Sequence, residues 1–280
     1  MAGVGGSVEL RRSWQRLLGL WTDRPRRKGT KIAGRYTIYD LLGMGSYGLT
    51  YLCTDEQTGK DVALKESKPS KGRLAVRLLD READVVNRMD HPAIPKLLDV
   101  FTYRARSYIV TEYILGETLE QCIFEQGRKY TEQDCLELAK QLLAPIMHVH
   151  EQGYIHGDVR IPNVILRDGQ VRLIDFGLAR RMGEPLWPEL KRRMRELPEP
   201  EDELAAPDQD LQDLGHFLLF MLYSAYEPEK GRKPASWQEE LKLTKEVRDI
   251  LERLLGLRPG YEGEALKLQA DIDRVLIKMR

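Results

Sequence analysis

Hydrophobic and polar residues alternate with a period of two in the first part of the chain. Apolar residues recur at every second position from Tyr36, and again from Leu49 to Cys53 beyond a glycine-containing turn, which predicts two strands joined by that turn. Two further strands are predicted at 93–100 and 107–113. The pattern therefore predicts a small sheet in this part of the molecule.

The period changes to that of a helix in two places. A charged, helix-favouring stretch at 74–89 ends before Pro92, and long apolar periodicities of the helical type begin beyond Gly116. The helices predicted in this second part cover 135–151, 211–223, 237–255 and 264–279. The expected fold class is α+β, with a small antiparallel sheet and one main helix followed by a larger, mostly helical part.

Residues 1–34 differ from the rest and are interpreted as an N-terminal extension. Five apolar residues recur there at helical spacing and fall on one face of a predicted helix, namely Leu10, Trp14, Leu17, Leu18 and Trp21. Basic residues flank this helix and follow it. A basic amphipathic helix can bind a partner protein or a membrane surface, so residues 7–31 are a candidate contact of that kind. Packing of the helix on the rest of the chain is the simpler interpretation.

Charge and cysteine content exclude several classes of protein. Lys and Arg together number 44, as do Asp and Glu, so no overall field attracts nucleic acid and no nucleic-acid partner is expected. Cys53, Cys122 and Cys135 are too unevenly spaced for a disulfide framework or a zinc site, which predicts a reducing, cytoplasmic compartment. No apolar stretch reaches the roughly 20 residues that span a bilayer, so a soluble chain is expected.

Three glycines, Gly43, Gly45 and Gly48, lie in the turn between the first two predicted strands. A dinucleotide-binding glycine motif opens into a helix, whereas this turn opens into a second strand, as does a loop that covers ATP phosphates. Glycines let the backbone approach phosphate oxygens and tolerate positive φ. The run Val62-Ala63-Leu64-Lys65 follows in the next strand.

Two later motifs carry the chemistry of phosphate transfer. The run 156–163 contains Asp158 and Asn163, and Asp175 begins the run Asp-Phe-Gly. One carboxylate can accept a hydroxyl proton, while the amide and the second carboxylate can hold metal against phosphates. Each motif alone is weak evidence, but four of them in this order are specific.

From about Tyr36 to its end the chain resembles the catalytic domain of eukaryotic-type Ser/Thr protein kinases. The resemblance implies a bilobal fold with an ATP-binding N-lobe at 35–114 and a C-lobe at 115–280. It also implies ATP and Mg²⁺ as cofactors, with Mn²⁺ as an alternative metal, and a protein substrate of unknown identity. The expected activity is transfer of the γ-phosphate of ATP to a protein hydroxyl.

The resemblance also assigns roles to individual residues. Lys65 would bind the nucleotide phosphates and pair with Glu82, while Asp158 would be the base and Arg160 would replace the usual lysine that steadies the γ-phosphate. The metal ligands would be Asn163 and Asp175. The remaining nucleotide contacts would come from Gly43, Gly45, Gly48, Thr50, Ala63, Thr111, Glu112, Ile114 and Ile165.

The chain departs from the family at its regulatory segment. The arginine that usually precedes the catalytic aspartate and pairs with a phosphorylated residue is Gly157, and residues 176–210 contain no Ser, Thr or Tyr. The family's Ala-Pro-Glu landmark is absent in recognisable form: 197–199 is a partial match, and 206–208 is too close to Asp210. We therefore expect activity that does not depend on phosphorylation of this segment.

Two alternatives stay open at the level of sequence. The His-Gly-Asp run is also found in kinases of small molecules and of RNA-associated factors, which would use an acidic cleft after Asp210 to bind a cationic substrate. A nucleotide-binding pseudokinase scaffold is the second alternative. Retention of all five residues of the transfer machinery argues against a scaffold: Lys65, Glu82, Asp158, Asn163 and Asp175.

Overall fold

The computed structural model describes residues 23–191, 204–228 and 235–279. Within them the chain forms two compact units. The first comprises 23–87 and 96–114, and the second comprises 88–95 and the described residues from 115 onward. The predicted amphipathic helix before Pro25 and the partial landmark at 197–199 lie outside the described residues.

The first unit is built on a six-stranded antiparallel sheet with the strand order β1-β2-β3-β4-β6-β5. Its strands are β1 (Lys31–Ile32), β2 (Tyr36–Met44), β3 (Gly48–Asp55), β4 (Lys60–Ser67), β5 (Leu97–Tyr103) and β6 (Arg106–Glu112). One face carries a fully buried cluster that includes Tyr36, Tyr51, Leu64 and Tyr108. The alternation of apolar residues seen in the sequence produces this face.

The other face of the sheet packs against helix α1 (Gly72–Val86). Leu79 and Ala83 of this helix bury themselves against Ile109 of β6, with Leu97 at the margin. The helical period of the sequence brings Leu79, Glu82 and Ala83 onto one side of α1, so a glutamate lies beside the apolar contact.

The second unit is mainly helical. Its helices are α2 (Leu119–Phe124), α3 (Glu132–Glu151), α4 (Pro188–Lys191), α5 (Pro207–Tyr223), α6 (Trp237–Glu240), α7 (Lys245–Leu254) and α8 (Ala265–Met279). Its short strands are β7 (Glu117–Thr118), β8 (Tyr154–Ile155), β9 (Val164–Arg167), β10 (Gln170–Leu173) and β11 (Arg180–Arg181). A single apolar core joins the long helices, with Leu142, Ile146, Leu214 and Leu251 fully buried.

Two predicted elements differ from the observed ones. The helix expected at 237–255 is two helices, because Thr244 donates its backbone N–H and its hydroxyl to the carboxylate of Glu132 and begins α7 instead of continuing α6. The strand expected at 93–100 begins only at Leu97, since Pro95 has no N–H to donate to a sheet.

In the described part of the chain no helix is long and apolar enough to cross a membrane. All three cysteines are free thiols in buried positions.

Candidate active site

The glycine turn connects β2 to β3, with Gly43 opposite Thr50 across the hairpin. A β-carbon on Gly48 would lie 3.2 Å from both the carbonyl oxygen of Glu66 and Cγ of Lys65, so β3 approaches β4 this closely only without a side chain. Gly43 and Gly45 meet no atom closer than 3.6 Å. None of the three adopts positive φ, so the turn does not use the left-handed backbone that glycine would allow.

The register of the sheet places four predicted nucleotide contacts on one face. Thr50 lies opposite Lys65, and Ala63 lies opposite Thr111. Residues opposite each other in a ladder, and residues two apart in a strand, point to the same side. Thr50, Ala63, Lys65 and Thr111 therefore share the face on which α1 packs.

Lys65 and Glu82 form an ion pair within this unit. The Nζ atom of Lys65 lies 2.7 Å from Oε2 of Glu82, and the two side chains are only 15% and 7% exposed. Burial reduces solvent screening, so this pair is held more firmly than one in water. The two residues come from a strand and from the helix packed on it, 17 positions apart in sequence.

The segment after β6 carries the remaining contacts predicted in this unit. The N–H of Glu112 donates to the carbonyl of Lys96 at 2.9 Å, and Ile114 follows at the end of the unit, partly buried.

In the second unit Ile165 is 9% exposed in β9. Gly116 has φ +147, and a β-carbon on it would lie 2.7 Å from Cγ2 of Ile165. The sequence analysis did not single out Gly116 as a site residue, although a glycine can indicate a positive φ or a close approach of the backbone.

Asp158 in the second unit is held on both carboxylate oxygens. Asn163 donates from Nδ2 to Oδ2 of Asp158 at 2.8 Å and to its backbone carbonyl at 2.9 Å. Nε of Arg160 lies 2.8 Å from Oδ1. A tight turn at Ile161–Asn163 brings Asn163 back to Asp158. The structure thus brings together three of the residues that the sequence singled out.

Asp175 lies beyond β10 and has φ 63, a conformation that a non-glycine residue adopts only at some cost. The N–H of Gly177 donates to its Oδ1 at 3.1 Å. The N–H of Ile174 donates to the carbonyl of Asn163 at 2.9 Å, which fixes the strand leading to Asp175 against the turn containing Asn163.

Two carboxylates of α5 anchor the loop that contains Asp158. Asp210 is fully buried and accepts the N–H groups of His156 and Gly157 at 2.8 and 2.7 Å. Asp213 accepts the N–H of Val159 at 3.2 Å. Burial, together with the charge of Asp210, raises the pKa of Asp213 to about 7. Asp213 was not among the residues that the sequence singled out.

Gly157 has φ +71, and a β-carbon there would lie 2.9 Å from the carbonyl oxygen of Leu178. An arginine at this position would therefore need a different backbone. A second basic residue, Arg180, is only 8% exposed and donates to Oε1 of Gln209 at 2.7 Å. Arg180 joins the start of the segment after Asp175 to the start of α5, a link that the sequence did not reveal.

Three features follow one another along the chain in the order found in kinase-type phosphotransferases. They are the glycine-rich turn between two strands, the buried Lys65–Glu82 pair, and the loop in which Asp158 is held by hydrogen bonds. That order and this α+β fold define the class. Comparison with known proteins agrees, since a family model described as the protein kinase domain matches residues 36–190. The chain belongs to the protein kinase family.

Individual relatives support this assignment. The chain is 37% identical over 256 residues to the probable serine/threonine-protein kinase YbdM of Bacillus subtilis, covering 91% of this chain and 94% of the relative. It is 34% identical over 170 residues to the probable serine/threonine-protein kinase SCO3848 of Streptomyces coelicolor, covering 58% of this chain and 24% of that protein. The Mycobacterium tuberculosis PknI kinase domain shares the fold, with a TM-score of 0.65 at 21% identity, covering 89% and 99% of the two chains.

Proposed function

We propose that this protein is a Ser/Thr protein kinase that uses ATP and Mg²⁺ and does not require phosphorylation of the segment after Asp175. The observation that carries the proposal is the double support of Asp158 by Asn163 and Arg160. A carboxylate fixed in this way can accept the proton of a hydroxyl as that hydroxyl attacks phosphorus.

Residues of the first unit would bind the nucleotide. The glycine turn would cover the phosphates, and Lys65 would neutralise them while Glu82 holds its ammonium group in place at 2.7 Å. Thr50, Ala63 and Thr111 lie on the same face of the sheet as Lys65 and would line the space beside the adenine of ATP. Backbone groups of Glu112 and Ile114 would form hydrogen bonds with the edge of the adenine.

Asn163 and Asp175 are suitable ligands for magnesium. Because Nδ2 of Asn163 donates to Asp158, the amide oxygen is directed elsewhere and can serve as a ligand. Carboxylate and amide oxygens are the donors that Mg²⁺ prefers, and Mn²⁺ accepts the same set. The metal, when bound, would offset the negative charge of the phosphates.

Arg160 would first contact Asp158 and then, when a nucleotide binds, contact its phosphates. Its Nε lies beside Asp158, and its side chain is 62% exposed, so it can leave that carboxylate without loss of packing. The phosphates of a bound nucleotide compete for a guanidinium group. When the nucleotide is bound, Arg160 would therefore leave Asp158, and the carboxylate would be free to accept a proton.

Three features support independence from phosphorylation. Gly157 offers no cation for a phosphate, and the segment contains no hydroxyl side chain. The base of the segment is closed by backbone hydrogen bonds from Gly183 to Ala205 at 2.8 Å and from Ala205 to Glu184 at 3.0 Å. The Arg180–Gln209 contact reinforces this closure.

The test is transfer of labelled γ-phosphate from Mg-ATP by the purified protein, to itself and to generic protein substrates. We expect transfer by the wild type and its loss in Asp158→Asn and Lys65→Met, both of which should keep their thermal unfolding temperature within a few degrees. Phosphatase treatment should leave the rate unchanged. Equal labelling by the wild type and both variants would contradict the proposal.

The two alternatives predict other outcomes. Among the described helices after Asp210, a cavity of about 390 Å³ between α7 and α8 is lined by six basic and four acidic residues, so it is not an acidic cleft. Nucleotide binding without protein labelling would favour a scaffold, and labelling of small molecules alone would favour the other kinase class.

A further inference from the structure

A segment before β1, residues 23–30, lies on the apolar face of the sheet in the first unit. We call it the N-terminal strap. The N–H of Gly29 donates to the carbonyl of Ile38 at 2.8 Å, and the N–H of Ile38 donates to the carbonyl of Thr30 at 2.9 Å. Nζ of Lys28 lies 3.9 Å from the ring centroid of Tyr39. These contacts attach the strap to β2.

The strap is also attached to β4, through a buried carboxylate. Glu66 is fully buried, and Arg26 donates to it from Nη2 at 2.6 Å and from Nε at 3.0 Å. Arg106 donates at 2.6 Å and the hydroxyl of Tyr108 at 2.9 Å. Burial alone would raise the pKa of Glu66, but the hydrogen bonds from Arg26 and Arg106 outweigh it and the pKa is lowered. The backbone N–H of Arg26 also donates to the hydroxyl of Tyr51 at 3.1 Å.

A third attachment lies in front of α1. The carboxylate of Asp23 accepts the N–H of Ser70 at 3.1 Å and also its hydroxyl. Ser70 lies in the short turn at Pro69–Lys71 that leads directly into α1. The strap therefore contacts the entry of the helix that carries Glu82.

These attachments flank the two residues of the ion pair. Glu66 is the neighbour of Lys65 in β4, with its side chain on the opposite face, so fixing Glu66 fixes the strand that presents Lys65. Ser70 precedes the helix that presents Glu82. One short segment thus restrains both elements whose side chains meet at 2.7 Å.

We propose that the N-terminal strap is a positioning element for the Lys65–Glu82 pair, with Asp23 and Arg26 as its positioning residues. The effect on catalysis rests on the proposed kinase function. The effect on amide exchange in α1 rests only on the structure of the first unit.

The test introduces new charges at Asp23 and Ser70, which are accessible enough to change without emptying the core. Asp23→Lys removes the acceptor of both hydrogen bonds, Ser70→Asp places a like charge beside Asp23, and the double variant creates an opposite-charge pair at the same place. We expect each single variant to lower kcat/KM for ATP by roughly threefold to tenfold, the range typical of changes in a coupling element. The double variant should recover most of the loss.

Lys31→Ala is the matched control, because Lys31 pairs with Glu56 across an exposed 3.6 Å contact just after the strap. It should leave kcat/KM unchanged. Amide hydrogen exchange in α1 gives a readout without catalysis, and we expect faster exchange in both single variants and normal exchange in the double variant.

The outcomes separate this inference from the kinase proposal. If the wild type transfers phosphate and the single variants match it in rate and in α1 exchange, the strap has no positioning role. Loss of activity that the double variant does not recover would equally overturn it. If the wild type transfers nothing, the kinase proposal fails, and exchange in α1 still decides whether the strap holds the helix.

Discussion

At the scale of the residue, Gly157 is constrained by its backbone as well as by its surroundings. We predict that Gly157→Ala lowers the free energy of unfolding by about 1–3 kcal/mol, because it combines positive φ with a contact of 2.9 Å to the carbonyl of Leu178. Urea denaturation measures the loss. Gly153→Ala is the control, since Gly153 has φ +80 with no atom within 4 Å of its β-carbon position. Equal losses in both variants would contradict a role for Leu178.

A second residue-scale prediction concerns pH. The pKa of Asp213 is raised from 3.8 to about 7 by burial and by the charge of Asp210, so the folded protein keeps a proton that the unfolded chain releases. Stability should therefore fall as pH rises from about 4 to about 7. Asp213→Asn removes this titration and should flatten that part of the profile, measured by urea denaturation at several pH values. An unchanged profile in the variant would show that Asp213 does not titrate in this range.

The proposed catalytic residues were readable from the sequence because the proposed chemistry dictates their types and spacing. Asp158, Asn163 and Asp175 must be a carboxylate, an amide and a carboxylate. Glu66 gave no such signal. Its burial depends on Arg26 and Arg106, which lie 40 positions away in opposite directions along the chain, and only folding brings these charges together.

At the scale of the element, the link between Arg180 and α5 is open to test. We predict that Gln209→Leu accelerates amide exchange at Gly183 and Ala205 by roughly tenfold to a hundredfold, because a hydrogen bond to a charged group contributes about 1.5–3 kcal/mol. The phosphotransfer rate should fall with it, while the KM for ATP stays unchanged. Hydrogen exchange and steady-state kinetics measure the two effects.

Gln212→Leu is the control for this prediction, because Gln212 lies on the same helix with an exposed side chain. It should change neither exchange nor rate. Unchanged exchange in Gln209→Leu would mean that the backbone bonds between 183 and 205 close the segment without help from Arg180.

Helix and strand types followed from periodicity, but some of their limits did not. The apolar spacing of 237–255 is continuous, yet the chain forms α6 and α7 with a break before Thr244. The break depends on Glu132 at the start of α3, which accepts two hydrogen bonds from Thr244 across a separation of 112 residues. The residues around Thr244 in the sequence do not indicate that Glu132 is its partner.

At the scale of the whole molecule, nucleotide and metal should stabilise the fold by mass action. We predict that a non-hydrolysable ATP analogue with Mg²⁺ at about 100 times its Kd stabilises the wild type by about 2.7 kcal/mol. Lys65→Met should lose most of this gain, and Asp175→Asn should lose the part that depends on Mg²⁺. Thermal unfolding with and without each component measures it.

Lys245→Met is the control for the loss of a lysine, since Lys245 is exposed at the start of α7 in the second unit. It should respond to the analogue as the wild type does. Full stabilisation of Lys65→Met would remove Lys65 from the nucleotide site.

The sequence by itself determined the α+β class, the family and the residue types of the proposed transfer machinery, because periodicity and short-range chemistry are local properties of a chain. Tertiary structure alone decided which distant groups support them: Asp213 beneath the loop of Asp158, Gln209 beside Arg180, and the N-terminal strap on Glu66. Such pairings depend on the packing of elements far apart in sequence, and packing is a property of the folded chain.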